Sequence, residues 1–187
     1  ENVITRNELV FLDSAIIHKV SDILTGTPLV KGASQATSQA NLIVDGITTA
    51  PPANTTFLIA GDTTVYTVVS ATIGEISSLS DTTPTPSGAW QVSNTETGIV
   101  QTSTSGLGTG ARFTTVTLGA GNPTVTVTSI GTGYAINDTI VLTDAGSTSQ
   151  TATIIVSATT STWTLNQNLV AVPADNAVID VRLKTLT

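Results

Sequence analysis

One row of side chains near the N-terminus has residue types suited to hydrolytic chemistry. Ser14, His18 and Asp22 are spaced four residues apart, so on a helix they would share one face. Serine, histidine and a carboxylate are the nucleophile, base and orienting group of many acyl-transfer enzymes. A nucleophile and base on one straight helix, however, have no oxyanion site beside them. We therefore interpret the row as helix surface and, since His18 is the single histidine, predict no catalytic residue and no enzyme.

A second candidate is the glycine-rich segment 106–110, Gly-Leu-Gly-Thr-Gly. It lacks both the G-x-G-x-x-G spacing and the lysine of phosphate-binding loops. The residues from Phe113 onwards have a strand pattern, so no helix N-terminus would face a phosphate. We predict turn glycines here and no nucleotide cofactor.

Oxygen ligands for a cation are the third candidate. Asp138 and Asp144, together with Asn137, could supply oxygens to calcium, although two acids around a short strand are more often turn residues. The chain has no cysteine, which excludes disulfides and every cysteine-containing zinc site. We predict no cofactor and no metal site, and the sequence leaves calcium binding at these acids open.

Four aromatic residues, Trp90, Phe113, Tyr134 and Trp163, permit two interpretations. Aromatic residues are only 4% of the chain, which favours the interpretation that they anchor the core. The alternative is a platform on which sugars stack, with Trp90 and Tyr134 as its rings. Such a platform would make the protein a carbohydrate-binding or receptor-binding module that recognises a host-surface glycan.

The charge distribution argues against other partners. The 187 residues carry a formal net charge of −7, and no Lys or Arg lies between Lys31 and Arg112 or between Arg112 and Arg182. Phosphate binding needs clustered cations, so we predict no nucleic-acid partner. The apolar stretch 9–24 is interrupted by charged residues and does not have the order of a signal peptide. We therefore predict no transmembrane segment, no signal peptide and no membrane partner.

The same stretch predicts the one clear helix. Thr5 and Glu8 have capping-box spacing, and Gly26 and Pro28 provide the stop. Apolar residues follow at helical spacing and form a stripe, made of Leu9, Leu12, Ile16, Val20 and Ile23. The stripe must be covered by the β domain or by another subunit. We expect another subunit to cover part of it, so these five residues are the predicted protein interface.

Beyond Pro28 the pattern is typical of an all-β domain, with Thr/Val/Ile-rich runs between turn residues. Asp45-Gly46 predicts a turn after a strand. Residues 57–60 and 65–70 around Gly61-Asp62 give the strongest hairpin prediction. The Ser/Thr/Pro-rich stretch 77–93 indicates a boundary, and a glycine-punctuated β module follows to about residue 157.

Two sets of residues resemble patterns of tailed-bacteriophage virion proteins. The first is similar to a small β module of capsid-associated and tail-associated proteins and comprises Asp45-Gly46, Thr56 to Asp62, Val65 to Val68, Thr162 to Leu165 and Val172 to Val178. The second is similar to a repeat of cyanophage and T4-like structural proteins and comprises Gly108 to Phe113 and Ile130 to Ile140. In the second, Asn137 stands where the pattern usually has glycine.

The closing part of the first pattern follows the second module, which implies an insertion. The predicted fold is mainly β: an N-terminal helical arm (1–28), a small sandwich-like or barrel-like base module (29–81 and 158–187), and an inserted β lobe (82–157). Arg112, Phe113 and Tyr134 are expected to face outward on this lobe.

The resemblance implies a virion structural protein that is located on the capsid surface or in the tail. We interpret the chain first as a capsid decoration or cement protein. A tail, neck or baseplate component is the close alternative. The implied partners are copies of the chain, in a homo-oligomer such as a trimer, and other virion proteins such as the major capsid protein.

Overall fold

The computed structural model describes residues 24–32, 35–119, 121–146 and 149–182. Over these residues the chain is mainly β and contains no helix, which confirms the β-rich character predicted from the sequence. The predicted N-terminal helix, including its apolar stripe Leu9, Leu12, Ile16, Val20 and Ile23, lies outside the described residues. So do Ser14, His18 and Asp22.

Twelve strands are present in the described residues. They are β1 (Gly26–Val30), β2 (Asn41–Ile47), β3 (Thr56–Ile59), β4 (Tyr66–Ala71), β5 (Glu75–Leu79), β6 (Asn94–Val100), β7 (Ser103–Thr104), β8 (Thr109–Thr117), β9 (Pro123–Thr132), β10 (Thr139–Thr143), β11 (Thr151–Leu165) and β12 (Ile179–Arg182).

Six of these strands form a nearly closed barrel in the order β1-β2-β11-β4-β3-β12, with antiparallel neighbours. The segment before β12 returns to β1, because Leu29 bridges Val178 and the Val30 amide donates to the Ala177 carbonyl at 2.9 Å. Near closure leaves few unpaired backbone groups at the barrel wall.

The fifteen-residue strand β11 connects this barrel to the rest of the molecule. Its residues 151–155 pair with β10, residues 156–160 pair with β5, and residues 161–165 lie between β2 and β4. A separate sheet with the order β6-β8-β9 faces the N-terminal half of β11. Backbone hydrogen bonds join β9 and the residues after it to the segments around β5. They run from the Val125 amide to the Thr82 carbonyl and from the amides of Gly133 and Tyr134 to the carbonyls of Ile73 and Gly74.

Two hydrophobic cores follow from this arrangement. The barrel core contains buried residues from 24–71 and 163–181, with Phe57, Tyr66 and Trp163 in ring contact. The second core contains buried residues from 76–156, including Trp90 and Phe113. The chain passes from the barrel core to the second core between residues 71 and 76, and it returns to the barrel core between residues 156 and 163. The division into base module and inserted lobe stays a prediction.

The hairpin prediction is confirmed. β3 pairs with β4 through Phe57 and Tyr66. The turn between the strands closes with a hydrogen bond from the Asp62 amide to the Ile59 carbonyl at 2.9 Å. Gly61 has φ 88°, a left-handed conformation that glycine adopts without a steric penalty.

Two local predictions are wrong. β1 begins at Gly26, so residues 26–28 are strand and not the end of a helical arm. β2 continues through Asp45-Gly46 to Ile47 instead of turning. The β1–β2 pairing is irregular here, because Thr27 and Pro28 of β1 lie opposite the single residue Gly46. Gly46 has φ 77°, and a Cβ on it would clash with the Thr27 carbonyl oxygen. A bulge and a turn use the same residue types, and only the presence of the partner strand distinguishes them.

Candidate functional site

The predicted cation ligands serve as turn residues in the structure. Asp138 accepts a hydrogen bond from the Ala135 amide at 2.8 Å, whereas Asp144 accepts from the amides of Gln91 and Gly146. Asn137 has φ 74°. This left-handed conformation explains why asparagine stands where the resembling repeat has glycine. No group of three or more His, Cys, Asp or Glu that could hold a metal ion occurs in the part of the chain that the structure describes.

The two halves of the second motif meet around Tyr134. The ring lies against Gly108 and Gly131, where a Cβ would come within 2.1 and 2.8 Å of its carbons. We name these two glycines and Tyr134 the tyrosine cradle. The Tyr134 hydroxyl is hydrogen-bonded to Gln101 Oε1 and accepts from the Ala111 amide at 3.4 Å. Burial is the main reason that the pKa of Tyr134 is raised, and the charge of Asp138 adds to it. The cradle is an internal packing unit.

The prediction that Phe113 and Tyr134 face outward is wrong. Phe113 is 0% exposed and Tyr134 is 4% exposed. Residues alternate along β8, so Phe113 points into the second core and Arg112 points to solvent, where its Nη1 donates to the Gly98 carbonyl at 3.2 Å. Trp90 is buried as well, so neither ring of the predicted sugar platform is accessible to a ligand.

Two parts of the first motif, around Asp62 and Tyr66, meet the loop that follows β11 at one end of the barrel. The hydroxyl of Tyr66 donates to Asp62 Oδ2 at 2.6 Å and accepts from the Val170 amide at 3.1 Å. The other oxygen of Asp62 accepts from the Thr64 amide at 2.8 Å, which is the local turn bond expected of this aspartate. Together these bonds hold the β3–β4 hairpin against the loop that follows β11.

The pKa shifts of Asp62 and Tyr66 agree with these hydrogen bonds. Burial alone would raise the pKa of Asp62, but hydrogen bonds from Tyr66 and Thr64 outweigh it and hold that pKa below its ordinary value. Burial raises the pKa of Tyr66, and the bond to Asp62 raises it further. At neutral pH the pair is therefore a phenol bound to a carboxylate, a charge-assisted hydrogen bond.

Around this pair the barrel end exposes aliphatic side chains. Val65 is 49% exposed, and Val170 and Val172 are each 59% exposed. We name these three valines the barrel-end patch. Beside them lies a hollow of about 200 Å³, lined by residues 59–62 and 171–174, which include no lysine or arginine. The sequence did not predict this patch, because its valines come from two segments about a hundred residues apart that only the fold brings together.

A second concavity, of about 540 Å³, lies between the barrel and the second core. Its side chains include Ile47, Ile73 and Ile136, and its glycine backbones come from both motifs. Among the described residues that line it, none is charged, and the side chains with a polar group are those of Thr48, Tyr134 and Thr159.

Within the described ranges, no helix is long and apolar enough to cross a membrane. No protein-family model, no curated protein and no solved structure matches the chain.

Proposed function

We propose that this chain is a non-enzymatic structural protein that acts through contacts with copies of itself and with neighbouring proteins. The observation that carries the proposal is the barrel-end patch. Its aliphatic side chains are exposed while the backbone beneath them is held by the Asp62–Tyr66–Val170 hydrogen bonds. Apolar side chains that are grouped on a rigid surface are typical of protein contact sites.

The hydrogen bonds of the turn carboxylates and the packing of the tyrosine cradle are consistent with a structural role. The carboxylates at residues 62, 81, 138 and 144 accept bonds from nearby backbone amides. The tyrosine cradle uses the glycines of the second motif for packing. These residues therefore support the fold, as expected of a scaffold protein.

The virion assignment depends on the resemblance of the two motifs to repeats of tailed-phage structural proteins. Within that class we propose a capsid decoration protein that stabilises the particle through subunit contacts. A tail, neck or baseplate component is the alternative, because the same patch would serve there. The two differ in location and copy number, which electron microscopy of the intact particle distinguishes.

The test is binding of the purified chain to emptied, expanded phage capsids. We expect the unmodified protein to bind at a fixed copy ratio. The double variant Val170→Asp/Val172→Asp places charges in the patch and should weaken binding at least tenfold, which corresponds to about 1.4 kcal/mol. The control Val100→Asp changes a similarly exposed valine (55%) on β6, outside the patch.

Circular dichroism establishes that each variant keeps its fold. Binding of the patch variant with unchanged affinity would contradict the role of the patch. Absence of the unmodified protein from both capsids and tails would contradict the virion assignment.

A further inference from the structure

Two carboxyl groups from distant parts of the chain meet beside the second core. Glu96 lies on β6, and Asp144 directly follows β10. The Ala145 amide donates to Glu96 Oε2 at 3.2 Å, and the next amide, of Gly146, donates to Asp144 Oδ1 at 2.9 Å. Because consecutive amides of one turn bind the two groups, the carboxyl groups are held next to each other.

Asp144 is well shielded from solvent, since it is 2% exposed. Its second oxygen accepts from the Gln91 amide at 3.0 Å. Glu96 receives a further bond from Asn94 Nδ2 at 3.2 Å. All of these partners are neutral.

No cation in the part of the chain that the structure describes compensates the two acids. The described residues include one lysine and two arginines, and each of the three contacts other groups. Lys31 pairs with Asp45, Arg182 pairs with Asp180, and Arg112 donates to the Gly98 carbonyl on the outer side of the sheet. Two adjacent carboxyl groups without a cation favour the state in which one of them keeps its proton.

The electrostatics of Glu96 agree with this geometry. Burial raises the pKa of Glu96 most, and the hydrogen bond and the charge of Asp144 raise it further, while the amides of Ala145 and Gly146 act in the opposite direction. With its proton in place, Glu96 donates a hydrogen bond to Asp144. Without it, two negative charges face each other.

The pair adds a side-chain connection between two sheets that are also joined by the backbone hydrogen bonds from β9 and the residues after it to the segments around β5. Glu96 belongs to the β6-β8-β9 sheet, while Asp144 lies in the connection between β10 and β11 of the larger sheet. We propose that the Glu96–Asp144 pair is an acid-strengthened latch between these two sheets, closed by a shared proton and loosened when that proton is lost. The proposal is independent of the function proposed above.

The direction of the pH effect follows from linkage. A carboxyl whose pKa is higher in the folded than in the unfolded chain binds more protons in the folded state. Its contribution to stability is therefore fully present below the ordinary value of 4.5 and is lost as the pH rises through the raised pKa. One proton is involved, so the opening equilibrium of the latch changes by at most about tenfold per pH unit.

The experiment is an NMR study of the full chain between pH 4 and pH 8. The carboxyl carbon of Glu96 is titrated directly in the unmodified protein, so this readout needs no variant. Hydrogen exchange of the amides of Gln91, Ala145 and Gly146, corrected for intrinsic rates, reports the opening of the latch. The isosteric variant Glu96→Gln and the control Asp180→Asn, at an exposed carboxyl on β12, are measured in the same way.

We expect Glu96 to titrate above 4.5 and the protection of the three amides to fall as the pH rises through that titration. Glu96→Gln should remove this pH dependence, and Asp180→Asn should keep it. A Glu96 titration at or below its ordinary value would overturn the proposal. So would the same pH dependence of the three amides in Glu96→Gln as in the unmodified chain.

Discussion

The hydroxyl of Thr162 on β11 donates a 2.7 Å hydrogen bond to Oε2 of Glu75, a carboxylate on β5 that is only 6% exposed. The other oxygen of Glu75 accepts from the hydroxyl of Thr72. These bonds lie where the chain leaves β4 of the barrel and enters β5 of the second half. Glu75 therefore fixes β5 to the long strand that both halves share.

Removal of this carboxylate should destabilise the fold. Glu75→Ala deprives two hydroxyls of their acceptor, and we expect the free energy of unfolding in urea to fall by about 1–3 kcal/mol. Thr162→Val should cost about 1 kcal/mol, whereas Thr164→Val, two residues along the same face of β11, serves as the control. An unfolding free energy of Glu75→Ala equal to that of the unmodified chain would contradict this role.

The Asp62–Tyr66 pair gives a pH-dependent prediction. Tyr66→Phe removes the donor to Asp62 and the acceptor of the Val170 amide, and we expect a loss of about 1–3 kcal/mol at pH 7. The contribution of Asp62 is present above its ordinary pKa of 3.8 and is lost as the pH falls through its lowered folded value. Thermal melts from pH 2 to pH 7 should therefore show a weaker acid dependence in Tyr66→Phe. Parallel pH profiles for the two proteins would exclude the coupling.

The tyrosine cradle should not tolerate a methyl group. In Gly108→Ala the new Cβ would lie 2.1 Å from the Tyr134 ring, which cannot move without disturbing its hydrogen bonds. We expect a loss of about 1–3 kcal/mol in unfolding free energy. The matched control is Gly119→Ala, where a Cβ meets nothing within 4 Å. Equal stabilities of the two variants would show that the ring adapts.

The two tryptophans differ in a way that stability measurements can detect. The indole Nε1 of Trp163 donates to Ser161 Oγ at 3.1 Å, whereas that of Trp90 has no hydrogen-bond partner among the described residues. Trp163→Phe loses volume and a bond, while Trp90→Phe loses volume and removes an unpaired donor. We expect Trp163→Phe to be more destabilising by about 1–2 kcal/mol in urea. The reverse order would indicate that Trp90 has a partner in solution.

The sequence by itself determined the features that depend on neighbouring residues. Gly61-Asp62 predicted the β3–β4 turn because a left-handed φ and a side chain that bonds the backbone two residues on are local requirements. The β-rich character followed in the same way from Thr/Val/Ile-rich runs between turn residues.

Strand pairing decided what the sequence could not. The strand conformation of Gly46 depends on β1, whose Thr27 and Pro28 form the bulge opposite it. The inward direction of Phe113 depends on the register of β8, because a shift of one residue would reverse every side chain. Glu75 and Thr162 are 87 residues apart, and Glu96 and Asp144 are 48 residues apart. The first pair meets because β5 and β11 are hydrogen-bonded side by side, and the second meets because the two sheets pack against each other. The free energy of both arrangements belongs to the whole fold and not to any segment.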